Sequence, residues 1–219
     1  GLHHGAAAIE YGNKNLKPEN AISINGTLKY RHNKTLFETE VFVKQVENYI
    51  YLRPKFPPEL TIRGAFPAFE YVQTSALFAG IDLLLNQQLP QNFSFVEKVS
   101  ILNVYDQNYT TYINGISPYR LNHSLVYKIL KFKGLSNSSI NLSVVQVLKQ
   151  KRYTEGSDYM PPPNGYVLLN AAFSTNVSRN KNLLVFLSAD NILNVSYRDY
   201  LNRFRYYADE TGRMITAGL

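Results

Sequence analysis

The chain has 219 residues, 45% hydrophobic and 18% charged, with 23 Lys+Arg against 16 Asp+Glu for a net charge of +7, and with 17 Tyr, 12 Phe, no Trp and no Cys. Its length allows one or two domains. The absence of cysteine excludes disulfide scaffolds, thiolate zinc sites and cysteine nucleophiles, and no run approaches the roughly 18 apolar residues of a spanning helix. The basic excess is dispersed: its nearest clusters, Lys128, Lys131 and Lys133, then Lys149, Lys151 and Arg152, fall in polar joints, which reads as solvated loop and not as a nucleic-acid patch. Gly1-Leu2-His3-His4-Gly5 forms no secretory leader, so the expectation is a cytosolic protein or a chain whose beginning lies elsewhere.

From Ala21 onward the dominant pattern has period two, which sends successive side chains to opposite faces of a strand. Ile22, Ile24, Leu28 and Tyr30 share one face with Gly26, while Ser23, Asn25, Thr27, Lys29 and Arg31 take the other. Asn33-Lys34-Thr35 is a polar turn, and Phe37, Thr39, Val41 and Val43 then alternate with Glu38, Glu40 and Lys44, completing an antiparallel hairpin. The same alternation predicts strands at about Phe69–Asn86, Phe93–Gln107, Tyr119–Lys131, Ser139–Lys151, Tyr166–Val177, Leu183–Val195 and Gly212–Leu219, nine in all with almost no helix. Asn33–Thr35, Gln87–Asn92, Phe132–Asn137 and Ser178–Asn182 read as short turns. Arg53–Ala68, Asn108–Pro118, Tyr153–Gly165 and Ser196–Thr211 read as long aromatic, Pro-rich loops.

Short connections at one sheet end and long ones at the other are the layout of a transmembrane barrel, with turns toward the periplasm and loops outward. The strands reach or exceed the roughly 9–11 residues of a tilted span, and Lys, Arg, Asn and Glu recur in mid-strand, which a wet lumen tolerates and a packed core does not. The competing reading is a soluble or cell-surface β-sandwich binding module that buries the Ile22, Ile24 and Leu28 face. On the barrel reading that face meets lipid, and Asn25, Thr27, Lys29 and Arg31 meet the lumen.

Several segments resemble TonB-dependent outer-membrane receptors. Gly12-Asn13-Lys14-Asn15-Leu16-Lys17-Pro18-Glu19 resembles their "GNPxLKPE" segment, and Tyr49-Ile50, Ala79-Gly80-Ile81-Asp82 and Ile116-Ser117-Pro118-Tyr119-Arg120 are similar to later barrel motifs. Asp190-Asn191-Ile192-Leu193-Asn194-Val195-Ser196-Tyr197 is similar to "xNLFDxxY", and Thr211-Gly212-Arg213-Met214 with Ala217-Gly218-Leu219 to the "PGRxxxxGL" of the last strand. The resemblance implies an all-β fold, the C-terminal nine strands of a 22-stranded barrel whose plug, energy-coupling box and earlier strands lie outside residues 1–219. It implies an integral protein of the outer membrane, surrounded by lipid and lipopolysaccharide. It would be coupled to TonB through the missing N-terminal part and would import a scarce ligand such as a ferric siderophore, haem or a metal ion. Neither a cofactor nor nucleic acid is expected.

Tyr153, Tyr159, Met160, Arg203, Arg205 and Tyr206 in the long loops are the expected ligand contacts, since Arg and Tyr suit anionic chelates through charge-assisted hydrogen bonds. His3, His4 and Glu10 are candidate metal contacts, although adjacent histidines in an extended segment point apart. His32 and His123 read as structural. His123-Ser124 cannot pair as base and nucleophile because neighbours in a strand face opposite ways, and no hydrolase motif occurs, so no enzyme activity is expected. Repeated N-x-S/T triplets, among them Asn25, Asn122 and Asn141, follow from polar residues recurring at i and i+2 and not from glycosylation.

Overall fold

The computed structural model describes residues 2–5, 7–130, 135–177 and 183–219, without the side chains of Leu2–His4. They form one sheet of twelve strands: β1 (Leu2–His4), β2 (Ile9–Tyr11), β3 (Asn20–His32), β4 (Thr35–Thr61), β5 (Gly64–Gln88), β6 (Phe93–Asp106), β7 (Thr111–Tyr112), β8 (Arg120–Ile129), β9 (Leu135–Val147), β10 (Tyr166–Val177), β11 (Leu183–Asp190) and β12 (Met214–Gly218). The nine long strands pair with their sequence neighbours in an antiparallel meander, and the sheet is open, as a sector of a barrel. β2 alone joins in parallel, placing Glu10 opposite Phe69. No second layer covers the described sheet, and Ile22 and Ile24 are each 78% exposed, which removes the sandwich alternative. No helix among the described residues is long and apolar enough to cross a membrane.

The register sorts side chains into two faces. One rung runs Thr27, Glu40, Asp82, Ser100, Arg120, and the next Lys29, Glu38, Leu84, Lys98, Asn122. This inward face is polar, with Lys29 and Glu38 in an ion pair across β3 and β4. The rungs between them, such as Leu28, Thr39, Leu83, Val99, Leu121, are apolar and face outward. Two inward glycines make room for rings: Phe42 lies over Gly80 and Phe186 over Gly218, each glycine facing its aromatic partner across the ladder. This is the aromatic cover that compensates glycine in a curved sheet.

Three boundaries differ from the alternation. The segment Arg53–Ala68 is no long loop, because β4 and β5 continue to Thr61 and Gly64 around the two-residue turn Ile62-Arg63. Pro57 and Pro58 fall in the register shift between Lys55 and Glu59, where no ladder N–H is required. β9 begins at Leu135 and ends at Val147, and β11 stops at Asp190. The turns expected at Phe132–Asn137 and Ser178–Asn182 lie, partly and wholly, outside the described residues.

A bulge between Val46 and Tyr49, with Asn48 at φ 56°, inserts one residue into β4. Inward positions therefore change from even to odd numbers there. Tyr49 and Tyr51 consequently join the inward cluster of Ala76, Val104, Ile113 and Phe78, and the Tyr49 ring meets Phe78 edge-on at 5.0 Å. The hydrophobic core thus sits at the outer end of the wall, directly beneath the long loops.

Candidate functional site: an outer vestibule

β6 leaves β5 at the Ala76–Asp106 pair, so the upper part of β5 is an open edge covered by β2 and by the loops 107–119, 148–165 and 191–213. Between them lies a cavity of about 270 Å³, walled by Tyr49 and Tyr51 of β4, Phe69 of β5, Asn114, Asp158, Tyr200, Arg203, Arg205 and Tyr206. Arg203 to Tyr206 form a short 3₁₀ turn that Asn202 caps by accepting from the Phe204 N–H.

Charge in this vestibule is already matched. Arg205, only 5% exposed, donates from Nη2 to Asp158 Oδ2 at 2.5 Å, and its guanidinium lies 4.5 Å from the Tyr206 ring and 5.1 Å from the Tyr200 ring. Tyr206 donates its hydroxyl to the other oxygen of Asp158 at 2.7 Å. Arg203 pairs with Glu10, whose second oxygen accepts from Tyr71 Oη at 2.8 Å, and stacks over Phe69 at 4.9 Å. Two cations and two carboxylates from segments up to 193 residues apart thus tie the last loop to β2 and to the loop 148–165.

The aromatic side of the vestibule is continuous. Tyr159 meets Phe56 at 4.7 Å, Phe69 at 5.8 Å and Tyr206 at 6.2 Å, and its hydroxyl is held by the Ala68 N–H at 2.9 Å and by the Lys55 carbonyl. Burial raises the pKa of Tyr159, Tyr200 and Tyr206, and the Asp158 carboxylate raises that of Tyr206 further, so all three are neutral donors at ordinary pH. Outside this cluster Arg198 and Ser196 donate to Asp209, which holds its carboxyl below the usual range.

Of the six expected ligand contacts, Arg203, Arg205 and Tyr206 line the cavity and Tyr159 packs behind it against Tyr206, while Tyr153 and the exposed Met160 are likewise not part of the wall. Sequence reading missed Tyr49, Tyr51, Phe69, Asn114, Asp158 and Tyr200. An aromatic run on β4 signalled the first two, but nothing local marks Asp158 as a partner of Arg205, since 47 residues separate them. In the backbone register His3 stands opposite Glu10 and His4 opposite Ile9. Glu10 is engaged by Arg203 and Tyr71, and the described residues contain no cluster of three or more metal-ligating side chains.

A single-layered meander with a polar inner and an apolar outer face, short turns below and a loop-built vestibule above, is the wall of an outer-membrane barrel of the receptor type. Residues 2–192 match the family described as "TonB dependent receptor-like, beta-barrel", and the chain belongs to that family. Similar solved structures include the copper transporter OprC (17% identity, TM-score 0.74, 93% of this chain and 32% of that one). The FrpB iron transporter of Neisseria meningitidis is also similar (15%, 0.65, 96% and 32%), as is the ferric enterobactin receptor PfeA of Pseudomonas aeruginosa (14%, 0.63, 95% and 32%). The chain spans about a third of the length of each. No curated protein matches it. The protein is a receptor-type barrel of the outer membrane, and its family and neighbours are receptors and transporters, not enzymes.

Proposed function

We propose that residues 1–219 form the C-terminal part of the barrel of an active-transport receptor that captures a scarce ligand at the cell surface. The ligand would be a ferric siderophore, haem or a metal ion, and its inward passage would be energised through TonB. The observation that carries this reading is the vestibule: a cavity at the outer end, faced by Tyr49, Tyr51, Phe69, Tyr200 and Tyr206 and bordered by Arg203 and Arg205. Aromatic faces and neutral hydroxyl donors suit an organic chelate or a porphyrin, and the arginine forks add directional N–H donors. Neighbours of the same fold named for copper, iron and ferric enterobactin support that ligand range. In a metal-ion version of the reading, His3, His4 and Glu10 would meet the cargo at the same outer end.

The test is deletion of the intact receptor in its host, followed by uptake of labelled iron, copper, zinc and haem under scarcity. Loss of one uptake, restored by the wild-type gene and not by a Tyr206→Ala, Phe69→Ala double variant that still reaches the membrane, is the expected outcome. Unchanged uptake of every one of these sources refutes metal scavenging.

A further inference from the structure

Arg152 is a cation without a counter-ion at the rim of the outward face. Its guanidinium carbon lies 3.7 Å from the centre of the Tyr119 ring, and its Nε is buried without an acceptor. Among the described residues its side chain makes no hydrogen bond and no ion pair. Arg53, Arg120, Arg198, Arg203 and Arg205, by contrast, all meet carboxylates. A guanidinium only donates, and covering part of one without an acceptor is costly. The anion it calls for is not supplied by the described part of the chain.

Its height on the wall follows from the neighbouring strands. On β6 and β8 the aliphatic outward positions end at Ile101 and Leu121. Next above on β8 stands Tyr119, one residue before the inward Arg120, and its hydroxyl donates to Asn103 of β6 at 2.9 Å. Higher still, Gln45 donates to Ser75 at 2.9 Å and to Gln107 at 2.6 Å. A tyrosine in polar company at the end of an apolar run marks the edge of the hydrocarbon. Lipid phosphates lie just beyond that edge, and Arg152, seated on the Tyr119 ring, is level with them. Beside it the Leu148 N–H donates to the Tyr119 carbonyl at 2.9 Å, and the Leu148 side chain is 38% exposed. Lys149 and Lys151 are exposed and, among the described residues, in no ion pair.

We infer that Arg152, flanked by Lys149 and Lys151, binds the phosphate headgroup of a lipid in the outer leaflet. The Tyr119 ring holds the guanidinium plane in place, and a planar fork takes two phosphate oxygens at once. The two lysines reach the same headgroup region on long apolar stems. Leu148 and Leu121 below offer the acyl chains an apolar track, which a soluble anion would not use, so the occupant is a lipid and not a free phosphate. The inference rests on the barrel's place in the outer membrane. It does not depend on the cargo proposed for the vestibule, because Arg152 is not part of that cavity's wall.

The experiment titrates the intact receptor, in a neutral detergent, with phosphorylated lipid A and reads bound lipid by native mass spectrometry. Arg152→Gln should weaken binding about tenfold, and Arg152→Lys, which keeps the charge and loses the fork, about threefold. Arg63→Gln, in the exposed turn between β4 and β5, should stay within about twofold of wild type. Lipid A stripped of its phosphates should bind about tenfold more weakly to wild type and equally to wild type and Arg152→Gln. Arg152 has no partner in the described chain to strand, so Arg152→Gln keeps the fold, and the heat-dependent gel shift of a folded barrel checks this directly. The titration involves no transport, so its result is separate from any uptake measurement on the vestibule. Equal binding of phosphorylated lipid A by wild type and Arg152→Gln, or no loss on removing the phosphates, overturns the inference. So does displacement of the lipid by an equal concentration of inorganic phosphate, which would assign the site to a soluble anion.

Discussion

Asp158 is the residue on which order in the outer vestibule depends most. It accepts from Arg205 and from Tyr206 on separate oxygens. Arg205 is 5% exposed and the Asp158 side chain 12%, so solvent screens this pair little. Removing one member of a buried pair costs about 3–5 kcal/mol, largely because the other charge is stranded. Asp158→Asn keeps an oxygen that can accept from Tyr206 and removes only the charge, so the low end applies, about 3 kcal/mol. At about 1.4 kcal/mol per tenfold, that raises the open population of the last loop roughly a hundredfold.

Tryptic cleavage after Arg198 and Arg203 in the folded intact receptor reads that population, because proteolysis tracks the open state when reclosing is fast. Cleavage should accelerate about a hundredfold in Asp158→Asn while the barrel keeps its heat-dependent gel mobility. Asp158→Asn combined with Arg205→Met removes both charges. It should return to within about tenfold of wild type, since replacing a buried pair by neutral groups of similar volume is close to neutral. Less than fivefold acceleration in the single variant would show that the pair does not hold the loop and would refute the reasoning.

Other outcomes follow from the register and the loops. Ile24→Arg, near mid-bilayer on the outward face, should lower barrel stability in urea by about 2–4 kcal/mol, and Asn25→Arg on the inward face by much less; equal effects would place β3 one residue out of register. Gly80→Val brings a Cβ to 2.3 Å and 2.5 Å of the Phe42 ring. The ring must leave, at about 1–3 kcal/mol in the same assay, and Phe42→Ala in that background should recover part of the loss. For Tyr206 the folded state favours the neutral phenol, so its contribution is fully present below the unfolded value near 10 and is lost as pH rises above it. Tyrosinate absorbance should therefore show one fewer late-titrating group in Tyr206→Phe, and trypsin sensitivity of the last loop should rise only in strong alkali.

The wall was legible because a strand with one apolar and one polar face has a period that survives any tertiary context. Ile22 to Arg31 needed no partner to be read. Arg53–Ala68 misled because proline and glycine ordinarily punctuate loops. The structure accommodates Pro54 because β3 pairs β4 only as far as Asn20–Glu47, so β4 above that point is an edge strand that does not need every N–H. The bulge at Asn48 was invisible for a related reason: one inserted residue changes which side chains face inward without disturbing the alternation on either side of it. At the site, residue types were legible and partnerships were not. Tyr159, Arg203, Arg205 and Tyr206 are conspicuous as aromatic and basic loop residues. Their carboxylate partners Glu10 and Asp158 are ordinary in sequence and are selected only when the chain closes on itself.

The matching of Arg203 with Glu10 and of Arg205 with Asp158 bears on how an anion could be held. Unpaired arginines would attract any polyanion over a Debye length and discriminate poorly among them. Arginines already neutralised present no such field. An anionic group reaching Arg203 competes with Glu10 for the same guanidinium, and Glu10 belongs to β2, which itself lies on the edge of β5 beside Phe69. An anion taking the Nη1 edge would loosen the attachment of β2 to the last loop, whereas one on the remaining N–H groups would leave it in place. The inward wall below needs no such exchange, because its polar rungs are fixed by strand register alone. On the proposed function, discrimination among anions would therefore fall to the loops, with the nine long strands as the frame that holds them.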